Sequence, residues 1–119
     1  MIAEEIEAAN RAEATALLIR SGYRVYRPEA DVSGEDLVIR TVHGELRPVQ
    51  LKSRPAVDWR RYGGKDIWML FPEFVGSSNG RSWFLVPHDQ LFAWIKDRHG
   101  HTLGWCEAWS YLLVARRRI

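Results

Sequence analysis

The sequence has little cysteine, no long hydrophobic run and almost no imbalance of charge. A single cysteine, Cys106, excludes an internal disulfide and provides no zinc cluster. Its apolar stretches are far shorter than the roughly 20 residues that a membrane-spanning helix needs. The net charge of +2 is too small by itself to indicate a nucleic-acid partner.

Two further features bear on the location and size of the protein. The first ten residues, MIAEEIEAAN, are acidic, unlike a secretory or mitochondrial leader. We therefore expect a cytoplasmic protein with no membrane segment. A chain of 119 residues with 46% hydrophobic and 27% charged residues is typical of one globular domain, residues 1–119.

The pattern along the chain predicts an α/β fold with a mixed β-sheet of about five strands flanked by helices. Residues Ile2 to Arg20 contain no glycine or proline and stop at Ser21-Gly22, which indicates a helix with a glycine cap. Short apolar runs ended by proline predict strands, and Ile67–Phe71 is apolar enough to be covered on both faces. The other predicted elements are a strand at Tyr23–Arg27, a hairpin after Gly34, a loop from Arg54 to Gly64, a turn at Gly76–Gly80, a strand at Trp83–Val86, a helix capped by Asp89 and running to about Arg98, and a final helix from Trp105 to Ala115.

Three polar residues interrupt the runs that read as buried strands. Asp36 precedes Leu37-Val38-Ile39, Gln50 lies within Val49-Gln50-Leu51, and Lys52 follows. Such side chains are costly to bury unless they are paired or bind something. Since successive side chains of a strand point to opposite faces, Gln50 and Lys52 share a face. This constellation is the first candidate for a functional site.

The turn between the two strands decides whether Asp36 joins Gln50. A two-residue loop at His43-Gly44 sets Asp36 opposite Leu51, on the wrong face. A three-residue loop, Val42-His43-Gly44, ending on a left-handed glycine, sets Asp36 opposite Gln50 and beside Lys52. A functional site thus requires this register or an equivalent bulge.

These motifs resemble the PD-(D/E)XK nuclease superfamily, the fold of many restriction enzymes and Holliday junction resolvases. The resemblance extends from the first helix to about residue 88, and it is densest in SGYRVYRPEADVSGEDLVIR and VQLKSR. It is similar in detail to the branch whose third motif carries glutamine in place of an acid, as in a homing endonuclease of a cyanobacterial group I intron. The residues on that pattern are Gly22, Pro28, Asp31, Gly34, Asp36, Val49, Gln50 and Lys52.

The resemblance implies a restriction-endonuclease-like fold that hydrolyses DNA phosphodiester bonds with Mg²⁺ or Mn²⁺. It implies that Asp36 binds the metal, that Gln50 offers a neutral carbonyl oxygen, and that the backbone carbonyl of Leu51 completes the inner set. Lys52 is implied as the lysine near the attacking water. Oxygen ligands, with one or two carboxylates, suit a hard cation.

The same resemblance implies a glutamate in the first helix, and here the sequence departs from the pattern. The equivalent position is Arg11, with Glu7 and Glu13 close by. We prefer Glu13, because Ile6, Ala9, Glu13 and Leu17 line one stripe that is expected to face the sheet. Glu7 remains the alternative.

Several residues after the hairpin are candidates for binding DNA. Arg54, Arg60, Arg61 and Lys65 are predicted to contact backbone phosphates, with ordinary surface charge as the alternative. Tyr62 is either a hydroxyl donor to phosphate or a core ring.

The six tryptophans suggest a core or a subunit interface, and with the small size they favour a homodimer. The alternative to an enzyme is a catalytically inactive nucleic-acid-binding or protein-interaction module on the same fold.

Overall fold

The chain combines three helices and seven strands within the described residues, as expected for an α/β protein. A computed structural model of the protein describes residues 1–29, 35–73 and 81–111. The elements are α1 (Ala3–Arg20), β1 (Arg24–Tyr26), β2 (Leu37–Arg40), β3 (Leu46–Leu51), β4 (Ala56–Asp58), α2 (Trp59–Tyr62), β5 (Trp68–Pro72), β6 (Trp83–Pro87), α3 (His88–His99) and β7 (Ala108–Ser110).

The main sheet contains five strands in the order β1-β2-β3-β5-β6. Strands β3 and β5 are parallel, whereas the other neighbours are antiparallel. This confirms the prediction of a mixed five-stranded sheet. Strands β4 and β7 form a second, two-stranded antiparallel sheet, which the sequence did not predict.

Both faces of the main sheet are covered at β5, whose side chains alternate between two hydrophobic clusters. Leu70 packs with Ala14 and Leu18 of α1 on one face. Met69 and Phe71 pack on the other face with residues of α3, α2 and β4. The continuous apolar run of β5 is therefore explained by burial on both sides, as predicted.

Helix α1 ends where the sequence predicted but faces the sheet with other residues. Gly22 has a φ of +98°, a conformation that glycine adopts without strain, and the Tyr23 N–H donates to the Leu18 carbonyl. The buried residues of the helix are Ala14 and Leu18. The predicted stripe is wrong at its first two members, since Ile6 is 45% exposed and Ala9 is exposed as well.

The region of the predicted loop and final helix differs most from expectation. The predicted loop contains β4 and α2, and the Asp58 carboxylate caps α2 by accepting from the Arg61 N–H. The prediction of a helix from Trp105 is wrong, because Ala108–Ser110 forms β7 and pairs with β4. Strand pairing across the chain outweighs the local helix propensity here. The predicted turn at 76–80 and residues 112–115 of the predicted helix lie outside the described residues.

Helix α3 begins at His88, and Asp89 is not its cap. The Asp89 carboxylate instead accepts from the Gly64 N–H at 3.1 Å and fixes the chain after α2. Across the described ranges, no helix combines the length and the apolar character that crossing a membrane would require.

Candidate active site

The hairpin between β2 and β3 has the register that the candidate site requires. The Thr41 N–H donates to the Glu45 carbonyl, and Gly44 has a φ of +85°, so the loop is Val42-His43-Gly44. Leu37 pairs with Val49 in the resulting ladder. The hairpin therefore has the three-residue loop with a left-handed glycine, which is the alternative that the candidate site requires.

Asp36 is bonded to both neighbours of Gln50. Its N–H donates to the Val49 carbonyl at 2.8 Å, and its Oδ2 accepts from the Leu51 N–H at 3.0 Å. The carboxylate thus extends the backbone pairing by one residue before the start of β2. These two bonds hold Asp36 across from Gln50 at the end of the sheet.

The three polar residues line one cleft of about 410 Å³ between the end of β3 and α1. Glu7 of α1 lines the same cleft, whereas Glu13 does not. The full lining comprises Ala3, Ile6, Glu7, Asn10, Arg11, Asp36, Gln50, Leu51, Lys52 and Ser53. We call this the first cleft.

Gln50 is the unusual polar group of the first cleft. The residue is 8% exposed, and its Oε1 is buried with no hydrogen-bond partner among the described residues. An unsatisfied buried amide oxygen costs about 1–3 kcal/mol. Rotation of the carboxamide exchanges its oxygen and nitrogen, so the oxygen can be offered to a ligand without a change in the backbone.

Lys52 lies where the first cleft meets a second cleft. Lys52 and Ser53 line both of them. Partial burial lowers the pKa of the Lys52 ammonium, and the Arg61 cation lowers it further. The carboxylates of Asp36 and Asp58 act in the opposite direction. Its Nζ lies 5.6 Å from the centroid of the Tyr62 ring.

The structure does not bring Glu13, the predicted helix acid, to the first cleft. Its Oε1 accepts from Arg81 at 2.7 Å and its Oε2 from Trp83 Nε1 at 2.7 Å, so it ties α1 to the edge of the sheet. Hydrogen bonding from Arg81 is the main cause that lowers the pKa of Glu13. Ala3, Glu7 and Asn10 lie three or four residues apart on one helix face and line the first cleft. Glu13 lies one turn beyond Asn10 and is outside this lining.

The second cleft, of about 490 Å³, contains three of the predicted DNA-binding residues. Arg54, Arg61 and Tyr62 line it, whereas Arg60 and Lys65 are exposed and line neither cleft. Tyr62 is 1% exposed, so its ring belongs mainly to the core.

Sequence reasoning missed several residues of the second cleft. Asp58, Trp109 and Ser110 line it because β4 and β7 pair at its wall. The alternation of aromatic and polar side chains in Trp109-Ser110-Tyr111 is typical of a strand and was the available signal. Asp31, which belongs to the sequence motif, lies outside the described residues.

No family model matches the chain, and neither curated proteins nor solved structures give a match. Membership in the nuclease superfamily therefore stays a prediction from the sequence motif.

We expect Glu13→Gln to lower the free energy of unfolding by about 1 kcal/mol at neutral pH, because it weakens a charge-assisted pair with Arg81. The folded-state pKa of Glu13 lies below 4.5, so its contribution is present above that value and is lost as the pH falls through the folded pKa. Denaturant unfolding at several pH values measures this.

The matched control is Glu7→Gln on the same helix. We expect it to change stability by less than about 0.5 kcal/mol, because Glu7 is exposed. If Glu13→Gln were as stable as the wild type at neutral pH, this result would contradict the structural role of Glu13.

Two substitutions are expected to move the pKa of Lys52 in opposite directions. Arg61→Gln removes a neighbouring cation and raises it, whereas Asp58→Asn removes a carboxylate and lowers it. Asparagine also caps helices, so α2 is preserved. NMR titration of the lysine Nζ signals measures both shifts, and equal shifts of the same sign would refute this electrostatic account.

Proposed function

We propose that the protein is a metal-dependent endonuclease with a restriction-endonuclease-like fold, and that it hydrolyses DNA phosphodiester bonds in the first cleft. The observation that carries this proposal is the buried oxygen of Gln50, which has no partner among the described residues and lines the same cleft as Asp36 and Lys52. Nuclease chemistry explains why a carboxylate, an amide and an ammonium share this cleft.

The donors of the first cleft fit a hard divalent cation. Asp36 and Glu7 supply carboxylates, and Gln50 supplies an amide oxygen. Residues 1–29, 35–73 and 81–111 contain no group of three or more His, Cys, Asp or Glu that could hold a metal. Mg²⁺ is compatible with this, because it is usually held by one or two carboxylates and retains several waters. Mn²⁺ prefers the same ligands.

The residues of the cleft have distinct roles in the proposed reaction. Asp36, Gln50 and the Leu51 carbonyl would hold the cation, with Glu7 as the helix acid. A bound divalent ion polarises the phosphoryl oxygen and lowers the pKa of water. The Lys52 ammonium stabilises the negative charge that develops on the phosphoryl group or orients the attacking water.

Charge around Lys52 supports a nucleic-acid substrate. Arg54 and Arg61 line the second cleft, which adjoins the first at Lys52 and Ser53. Cations next to the site add salt-dependent affinity for phosphates without sequence preference. Arg60 and Lys65 contribute only through their charge on the surface.

The alternative function is an inactive nucleic-acid-binding or protein-interaction module on the same fold. The small number of carboxylates in the first cleft favours it, because a single firmly held acid, Asp36, is a weak basis for cation binding. Activity measurements decide between the two functions.

We also propose that the protein is a homodimer that uses an apolar groove. The groove, of about 690 Å³, is lined by Phe84 and Trp94, which are 46% and 49% exposed. A second copy is the proposed occupant, because a dimer places two sites on the two strands of a duplex.

The first prediction for this function concerns metal-dependent cleavage. Plasmid and branched DNA are expected to be cut with Mg²⁺ or Mn²⁺, and the cutting is expected to fall at least about a hundredfold in Asp36→Asn and Lys52→Met. The carboxamide introduced by Asp36→Asn can still accept from the Leu51 N–H, so the backbone pairing is kept. Gel assays measure the cutting.

Gln50 offers a matched pair of variants. Gln50→Glu adds a carboxylate and is expected to tighten Mn²⁺ binding, whereas Gln50→Leu is expected to abolish it, as measured by titration calorimetry.

Salt-sensitive DNA binding without cutting would favour the inactive module. The absence of both DNA binding and DNA cutting would favour the interaction module.

The dimer is tested with Trp94→Glu, which places a charge in the apolar groove. We expect a dimer for the wild type and a monomer for the variant in light scattering after size exclusion. Leu103→Glu is the control, because Leu103 is exposed outside the groove. A monomeric wild type would refute the dimer.

A further inference from the structure

We propose that the second cleft binds one unpaired nucleotide adjacent to the scissile phosphate. The preferred substrate is then DNA with a single-stranded segment, not an uninterrupted duplex. The second cleft is lined by Lys52, Ser53, Arg54, Ala56, Val57, Asp58, Arg61, Tyr62, Ala108, Trp109 and Ser110. This inference rests on the proposed function, since it names the substrate class of the same site.

The size of the second cleft suits one nucleotide. Its volume of about 490 Å³ falls within the roughly 300–1,000 Å³ of small-molecule sites. It is bounded by the chain that follows β3 on one side and by the β4–β7 sheet on the other. A base that remains paired in a duplex stays in its stack and cannot enter such a cleft.

The charge of the second cleft selects an anion. Lys52, Arg54 and Arg61 supply three cations, against one carboxylate from Asp58. That carboxylate is engaged, because its Oδ1 accepts from the Arg61 N–H at 3.3 Å as the cap of α2. The Arg61 guanidinium lies 5.1 Å from the Tyr62 ring centroid, a cation–π contact that stabilises the position of the cation. A phosphate group is therefore favoured.

The opposite wall of the second cleft is the β4–β7 sheet, which is held in place from its other face. On that other face Val57 is buried in the core, and its cross-strand partner Trp109 stacks on His99 with ring centroids 4.5 Å apart and planes 7° apart. Successive side chains of a strand point to opposite faces, so Ala56 and its partner Ser110 share the face toward the second cleft. Together they give a base a small surface with one methyl group and one hydroxyl.

The position of the second cleft identifies which nucleotide it holds. Lys52 and Ser53 line both clefts, so a group bound in the second lies next to the phosphate in the first. The nucleotide must leave its base pair to reach the cleft, which costs pairing and stacking energy in a duplex. A flap, gap or junction avoids that cost.

Binding without metal tests the cleft independently of cleavage. In EDTA, we measure the anisotropy of a fluorescent single-stranded oligothymidylate and of a hairpin duplex of equal length. The single strand is expected to bind at least about tenfold more weakly to Arg61→Gln than to the wild type, as for loss of one charged hydrogen bond.

The matched control is Arg60→Gln, which removes the same charge from the neighbouring exposed position of α2. We expect this change in surface charge to lower the affinity for the single strand by about twofold or less. Equal losses in the two variants would overturn the proposal, because they would indicate a general electrostatic effect. Ser110→Tyr fills the second cleft without changing its charge, and we expect it to weaken binding of the single strand as much as Arg61→Gln does. Thermal unfolding confirms that each variant is folded.

Cleavage separates this inference from the proposed function. If the single strand binds as expected but no DNA is cut, the nuclease proposal fails and the cleft assignment stands. If uninterrupted duplex is cut as fast as flap DNA of the same sequence, the cleft assignment fails and the nuclease proposal stands. Faster cutting of flap DNA that is lost in Ser110→Tyr supports both.

Discussion

The attachment of Asp36 to β3 is the constraint on which the candidate site depends. Two bonds, from its own N–H to Val49 and from the Leu51 N–H to its carboxylate, leave Gln50 between them. A shift of the hairpin by one residue would reverse the face of every side chain in the strand. The left-handed Gly44 prevents that shift by fixing the length of the loop. A backbone conformation far from the cleft therefore determines which side chains meet in it.

Gln50 shows a conflict between stability and function at one residue. It pairs across the parallel ladder with Met69, which is completely buried, so its position belongs to the core as much as to the cleft. A leucine or methionine at this position would avoid the cost of an amide oxygen that has no partner among the described residues. Retaining a polar group there is understandable if the group binds a ligand, because ligand binding would offset the cost of burial.

The features that are local in sequence were predictable, and those that depend on packing were not. The hairpin, the glycine cap of α1 and the buried strand β5 are encoded by neighbouring residues and were predicted, although the length of the hairpin loop was left open. Glu13 was misplaced because the rotation of α1 is set by the contacts of Ala14 and Leu18 with the sheet. Strand β7 was missed because it forms only by pairing with β4, a partner distant in sequence.

Lys52 connects the two clefts electrostatically. Its pKa depends on Asp36 from the first cleft and on Arg61 and Asp58 from the second. An anion bound in the second cleft would offset the Arg61 cation and raise the pKa of Lys52, which favours the charged ammonium. The two clefts are therefore coupled electrostatically through Lys52, because groups from both of them act on its pKa.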